Sequence, residues 1–288
     1  MTGLKDKKFL IGTIIITCIV LVSSRSFMAM NANSLSADHA IHILMTHDLV
    51  LPDDLYFWGQ DRLGSIVPIF AHGLLRLFSL PPVVAVSWAQ YFFLLLGFLA
   101  FASLLNNPGL KVVFALVWFL PLGNFTRFVE ISHPYGPQMA FVGLAIVFAR
   151  QLSDKAESLQ PFVRQLLISA LTASWFISIW ISDFSVVLAF CFGVVIFGTS
   201  YRQTAAAPQI KGWRRFKLDQ MDAINISGVS ILAVAFLIFA KQHAANPRSY
   251  ALFNSFSRTF SVISALVNSA INTLTFRASP SLSPLSQI

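Results

Sequence analysis

Between Arg164 and Arg202 the chain carries a single charged residue, Asp183. The apolar run Leu166–Phe197 around it is too long for one membrane helix. At 1.5 Å per residue it would extend about 48 Å, against a hydrocarbon core of about 30 Å. The economical solution is a hairpin of two short helices with Asp183 at the turn. Other apolar runs of roughly 18 or more residues recur along the sequence, the mark of spanning helices. Only 11% of the residues are charged, where a soluble domain carries about 25%. The expected fold is therefore all-α: a polytopic integral membrane helical bundle with an outer-face loop carrying interfacial helices.

The formal charge of +8 does not point to nucleic acid. The basic residues sit in short connections between apolar runs, where they set orientation, and the cluster Lys211-Gly-Trp-Arg-Arg-Phe-Lys suits anionic lipid headgroups. Cys18 and Cys191 fall within apolar runs and are expected to be packed thiols, with no metal or disulfide spacing. Lys5, Lys7 and Lys8 before Phe9–Ser23 have the layout of a signal peptide. The apolar run continues past Arg25 to Met30, and this favours an uncleaved first span.

The expected spans cover about 9–30, 83–105, 111–128, 135–150, 165–182, 184–200 and 224–240, with a weaker segment at 256–276. One transmembrane domain then occupies 1–277, and 278–288 is a disordered Ser/Pro tail. The segment 63–80 is decided by parity. If it crossed, the basic connection Tyr201–Asp222 would lie opposite Lys5–Lys8, against the positive-inside rule. Pro68, His72 and Arg76 also share one helical face. The segment is therefore expected to be interfacial or re-entrant, next to an outer loop at 31–62. The N-terminus is then cytoplasmic, and the compartment suggested is a bacterial inner or plasma membrane.

The loop at 31–62 holds two groups suited to one reaction. An ionised carboxylate at Asp38 could take a proton from a hydroxyl, which then attacks an anomeric carbon. A cation at Arg62 could stabilise the phosphate leaving from the other side. Each residue has a plainer role as well. Asp38 suits the first turn of an interfacial helix capped by Ser36, and Arg62 could snorkel to headgroups. Tyr56 and Trp58, with Phe57, fit an interfacial aromatic belt or a stacking platform for a sugar. Asp183 is a turn acid that could also line an outward site. His39 and His42 with Asp38 lack a fourth ligand, so no metal site is assigned.

The stretch Ala37-Asp38-His39-Ala40, with Ile41–Leu44 and Thr46-His-Asp-Leu-Val-Leu-Pro, resembles the first outer loop of GT-C glycosyltransferases. These multi-pass enzymes include protein O-mannosyltransferases and the aminoarabinose transferase of lipid A. Tyr56-Phe-Trp-Gly-Gln-Asp-Arg-Leu-Gly-Ser-Ile-Val-Pro is similar to the segment that follows in bacterial members. The resemblance implies sugar transfer from a polyprenyl-phosphate donor to a lipid or glycan acceptor on the outer face. It places Asp38 at the catalytic acid and Arg62 near a phosphate-contacting base. Glu130-Ile-Ser-His-Pro-Tyr-Gly-Pro resembles the second outer loop, with His133 where many members carry an Asp and Glu130 one turn earlier. Some relatives use a divalent cation near the catalytic acid; no other cofactor is implied.

The resemblance covers about the first 200 residues. Members usually continue through further spans, whereas this chain stops after 256–276, so a short, truncated or non-catalytic relative stays open. A small-molecule or lipid transporter is the alternative from another class. Transporters tend to carry ionisable or broken positions at the midplane in paired repeats, and this chain keeps most charges at span ends.

Overall fold

The computed structural model describes residues 2–32, 35–58, 60, 62–131, 133–155, 158–192 and 220–244, all within one unit, Met1–Asn246. The basic connection, the segment at 256–276 and the Ser/Pro tail lie outside the described residues. Among the described residues the helices that carry the architecture are α1 Thr2–Phe27, α2 Ala37–His47, α3 Ile66–Phe78, α4 Pro82–Ser103, α5 Pro108–Phe119, α6 Tyr135–Asp154, α7 Pro161–Ile181 and α8 Gln220–Gln242, with a further helical stretch at 185–192. Among the described residues the sheet-like pairing is confined to an isolated bridge between Tyr56 and Gly64. The fold is an all-α bundle, and among the described residues four helices are long and apolar enough to cross a membrane: Phe9–Phe27, Pro82–Ser103, Pro161–Ile181 and Gln220–Gln242.

Local chemistry sets the helix ends. Proline opens α4, α5 and α7, where its missing N–H costs nothing and its fixed φ suits the first turn. The Asn107 side chain caps α5 by accepting from Gly109 N at 2.8 Å. The expected span at 111–128 is broken. Its helix stops at Phe119, and Gly123–Phe128 is a 3₁₀ turn. Pro121 explains the stop, because the residue before a proline is pushed out of the helical region; Leu120 has φ −125° and ψ 58°. Cys18 and Cys191, expected to be packed, are both exposed. They lie on the outer surface of their helices, where an apolar thiol meets lipid as readily as protein.

Contacts between helices sort the bundle into two ends. Ser23 Oγ meets Tyr91 Oη at 2.8 Å, and Met30 N donates to Ser87 Oγ at 3.0 Å. The end of α1 therefore stands beside the start of α4. On α6, Ala140 packs on Gly97 and Gly143 on Ala100 and Phe101, while Arg150 Nη1 reaches Leu104 O at 3.3 Å. So α4 and α6 run side by side in the same direction. A Cβ at Gly97 would lie 2.8 Å from the Trp118 ring and 3.1 Å from Ala140 Cα, which makes glycine the condition of this close approach. α7 and α8 also run together. They share the Arg164–Asp222 ion pair at one end, the Trp180–Phe236 ring contact nearer the other, and Lys241 Nζ to Asp183 at 3.4 Å beyond it.

The long charge-poor run does turn at Asp183. α7 ends at Ile181, Ser182 is extended, and residues 185–192 are helical again. Trp175 and Phe192 then meet with ring centroids 5.3 Å apart, as the chain doubles back. The bundle thus has a proximal end with Leu104, Arg150, Arg164 and Asp222, and a distal end with 182–184 and the described residues of 28–64 and 123–133. Both ends of α3 stand at the distal end. Gly64 N, just before it, donates to Ile181 O at 3.2 Å, and after it the chain enters α4 at Pro82. Its 13 residues make about 20 Å, and α3 folds back on α4, with Phe70 stacked on Phe92 at 4.7 Å.

Candidate functional site

The distal surface is built on α2. Ser36 caps the helix by accepting from His39 N at 3.4 Å, and the same hydroxyl meets His39 Nδ1 at 2.5 Å. Asp38 lies in the first turn, where the helix dipole favours a negative charge. Positions 38, 39 and 42 share one face of this helix. The far half is anchored: Met45 and Thr46 are fully buried, and His72 Nδ1 donates to Thr46 O at 2.8 Å. His72 Nε2 in turn accepts from Arg76 Nε at 3.3 Å. The polar stripe of α3 therefore faces α2. Phe57 packs on His42 with ring centroids 4.9 Å apart.

The second distal loop is held just as firmly. Val129 and Ile131 are buried at 0% and 2% exposure. Gln90 Nε2, deep in α4, donates to Glu130 O at 3.3 Å and to Val129 O at 3.5 Å. Between these two buried residues Glu130 is half-buried. Gly136 lets the loop settle, since a Cβ there would lie 2.9 Å from Leu94 Cδ2.

These two loops bring one group of charges together. His133 feels Arg127, Glu130, Asp38 and His39; His39 feels Glu130 and Asp38; His42 feels His39 and His133. Burial is the largest influence on all three imidazoles and lowers each pKa. For His39, Glu130 and Asp38 oppose it. For His133, Arg127 adds to the lowering before Glu130 and Asp38 oppose it and His39 lowers it further. His42 is pushed down to about 3, by burial first and then by His39 and His133. All three rings are neutral at neutral pH.

Among the described residues the carboxylates of Asp38 and Glu130 and the guanidinium of Arg127 make no hydrogen bond or ion pair. Most other described carboxylates are engaged. Asp48 meets His47, Asp154 meets Arg150, Asp183 meets Lys241 and Asp222 meets Arg164. Asp54 is 6% exposed and accepts from Val50 N at 2.7 Å and Trp58 Nε1 at 2.6 Å. Among the described side chains outside the cluster, exposed Asp53 is the one other acid without such a partner. Two uncommitted acids, a cation and three neutral imidazoles thus meet at the rim of the bundle.

The other expected site residues lie in the later half of the first loop and, for Asp183, in the turn after α7. Tyr56 is extended, so it and Phe57 point to opposite sides. Tyr56 is 2% exposed and packs with Trp180, Ala240 and Ala244, under Lys241 Nζ at 5.9 Å from its ring. Trp180 Nε1 closes this half by donating to Leu55 O at 3.1 Å. Trp58 serves Asp54, Asp183 serves Lys241, and Arg62 Nε donates to Gln60 Oε1 at 3.4 Å. The cation placed with Asp38 and His133 is Arg127. Its sequence signal was its spacing, three residues before Glu130 and six before His133, in a turn where nothing distinguished it from a solvated base. Among the described residues no group of three His, Cys, Asp or Glu could hold a metal.

No protein-family model, curated protein or solved structure matches the chain. The site's chemistry therefore stands on its residues. An exposed, uncommitted carboxylate can accept a proton. A neighbouring guanidinium can neutralise an anion that develops or departs, and neutral imidazoles can exchange hydrogen bonds with hydroxyl groups.

Proposed function

We propose that this chain is a membrane glycosyltransferase that moves a sugar from a polyprenyl-phosphate donor to a lipid or glycan acceptor at the distal face. One observation carries the reading. Asp38 of the first distal loop and Glu130 and His133 of the second share one electrostatic group with Arg127, at the end of helices apolar enough to hold a prenyl chain. In this mechanism Asp38 is the base. It takes the proton from the acceptor hydroxyl, whose oxygen attacks the anomeric carbon as the carbon–phosphate ester bond breaks, and polyprenyl phosphate leaves with the electron pair. Inversion follows from attack opposite the leaving group. Arg127 joins or replaces Arg62 as the phosphate contact, and Glu130 and His133 line the acceptor side. The distal face is the outer face of a bacterial inner or plasma membrane, with the N-terminus in the cytoplasm.

The transporter alternative gains little from the buried pair at the proximal ends of α7 and α8. Asp222 is fully buried, but Arg164 Nε donates to both its oxygens at 3.1 Å, Arg164 Nη2 joins it, and Gln165 Nε2 adds a bond at 2.9 Å. Acceptors so fully engaged hold α7 against α8 and leave no vacancy for a transported ion.

The test is transfer from radiolabelled polyprenyl-phosphate sugars by the purified protein in detergent. Wild type should transfer, and Asp38→Asn should lower the rate by at least 10²-fold while inserting and folding normally. Full activity in that variant removes Asp38 from the mechanism.

A further inference from the structure

His42 is the odd histidine of the chain. Of the six histidines, four use Nδ1 in a hydrogen bond: His39 with Ser36 Oγ at 2.5 Å, His47 with Asp48 at 2.6 Å, His72 with Thr46 O at 2.8 Å and His243 with Phe239 O at 2.9 Å. His42 Nδ1 is buried and has no partner among the described residues. An orphaned buried polar atom is costly, and a native protein that keeps one calls for a reason.

The surroundings narrow the reason. His42 lies one turn after Asp38 on the same face of α2, its ring braced by Phe57. The groups that act on it are His39 and His133, while Asp38, Glu130 and Arg127 act on those two rings. Burial before any neighbour keeps the ring uncharged, and no carboxylate acts on it; among the described residues no group of three His, Cys, Asp or Glu could hold a metal ion here, which leaves a neutral polar partner. A hydroxyl satisfies Nδ1 in either tautomer, donating to the bare nitrogen or accepting from N–H, and brings no charge into a desolvated place. Packing alone does not account for the choice of residue, because a phenylalanine of similar shape would fill the same space without an orphaned atom.

We infer that His42 is a specificity residue of the distal site, and that it binds a neutral hydroxyl of the sugar carried by the lipid donor. The identity of the hydroxyl carrier rests on the glycosyl-transfer reading. His42 thereby makes the site read the sugar, separately from the phosphate and the prenyl chain.

The experiment measures binding of radiolabelled lipids to the full chain in detergent. The probes are a panel of polyprenyl-phosphate pentoses and hexoses, their monodeoxy analogues, and bare polyprenyl phosphate. Wild type should prefer a sugar-loaded lipid over the bare one, and one monodeoxy analogue should bind about tenfold more weakly, the worth of one buried hydrogen bond. His42→Phe should lose that preference by about tenfold, bind bare lipid as wild type does, and no longer distinguish the deoxy analogue. His42→Asn, which keeps a polar atom at the Nδ1 position, should retain most of the preference. Equal weakening of loaded and bare lipid in His42→Phe, or no weakening, overturns the role of His42 and leaves the transferase reading standing. If His42→Phe does not fold, the deoxy series still tests the reading: no single analogue weakened in wild type overturns it, and a weakened analogue that His42→Asn discriminates no differently from wild type supports it. Wild type that binds no lipid of the panel overturns the transferase reading and this inference with it.

Discussion

At the scale of single residues, the distal cluster separates groups that hold the fold from groups left for chemistry. Arg127 belongs to the second kind. It is exposed and forms no ion pair with the acids near it. Arg127→Gln should lower sugar transfer by about 10²-fold, the usual loss when one stabilising donor is removed, with an unchanged thermal midpoint; unchanged transfer would return the phosphate contact to Arg62. Proton linkage gives a second prediction. His39, His42 and His133 all titrate below their ordinary value in the folded protein, so below about pH 6.5 the unfolded chain binds more protons than the folded one. Their share of stability is intact above that pH and is lost as pH falls, for His42 until about pH 3. The thermal midpoint in detergent should therefore be level from pH 8 to 7 and drop towards pH 5, less steeply in His42→Phe. An equal slope in both proteins would show that His42 is not held neutral by the fold. Asp38 could be singled out in the sequence because its chemistry shows in local signals: a Ser cap, a first-turn acid and a span before it. Arg127 and the burial of His42 could not, because each depends on a loop some 90 residues away and on Phe57.

At the scale of elements, the helices whose ends are set by proline and whose length suits a bilayer were legible, and so was the turn that the charge-poor run requires at Asp183. The break inside the expected span 111–128 was misread because hydropathy averages over Pro121, while backbone sterics act on Leu120 alone. Helix packing is set by small residues whose role emerges only when partners meet. Gly97→Ala should destabilise the protein by about 1–3 kcal/mol, since the added methyl meets the Trp118 ring and Ala140 backbone across the α4–α6 contact. Gly73→Ala and Gly228→Ala meet nothing within 4 Å; each should be neutral or stabilising by up to about 1 kcal/mol from helix propensity. Denaturation of the three variants in detergent checks the ranking. A Gly97 variant as stable as the other two would mean that α4 and α6 stand further apart than described.

At the scale of the whole molecule, polarity and chemistry are the same question. The acids whose side chains are described divide unevenly between the two ends: Asp38, Asp48, Asp53, Asp54, Glu130 and Asp183 are distal, whereas the proximal Asp154 and Asp222 are each paired with an arginine. In the proposed orientation the proximal end faces the cytoplasm, as the positive-inside rule asks of the end that holds the basic connections. Because both ends of α3 are distal, the orientation of every later helix follows from that of α1. Single cysteines test the assignment in a background where Cys18 and Cys191 are serine. Ser79, exposed after α3, and Ser158, exposed between α6 and α7, mark opposite ends. In intact cells a membrane-impermeant maleimide should label Ser79→Cys, and Ser158→Cys should react only after permeabilisation. Labelling of both from one side would make α3 a crossing helix, and the reverse pattern would turn Asp38, Glu130 and His133 towards the cytoplasm. A donor sugar presented on the outer leaflet could then not reach them, so the topology experiment bears on the chemistry as directly as any active-site substitution.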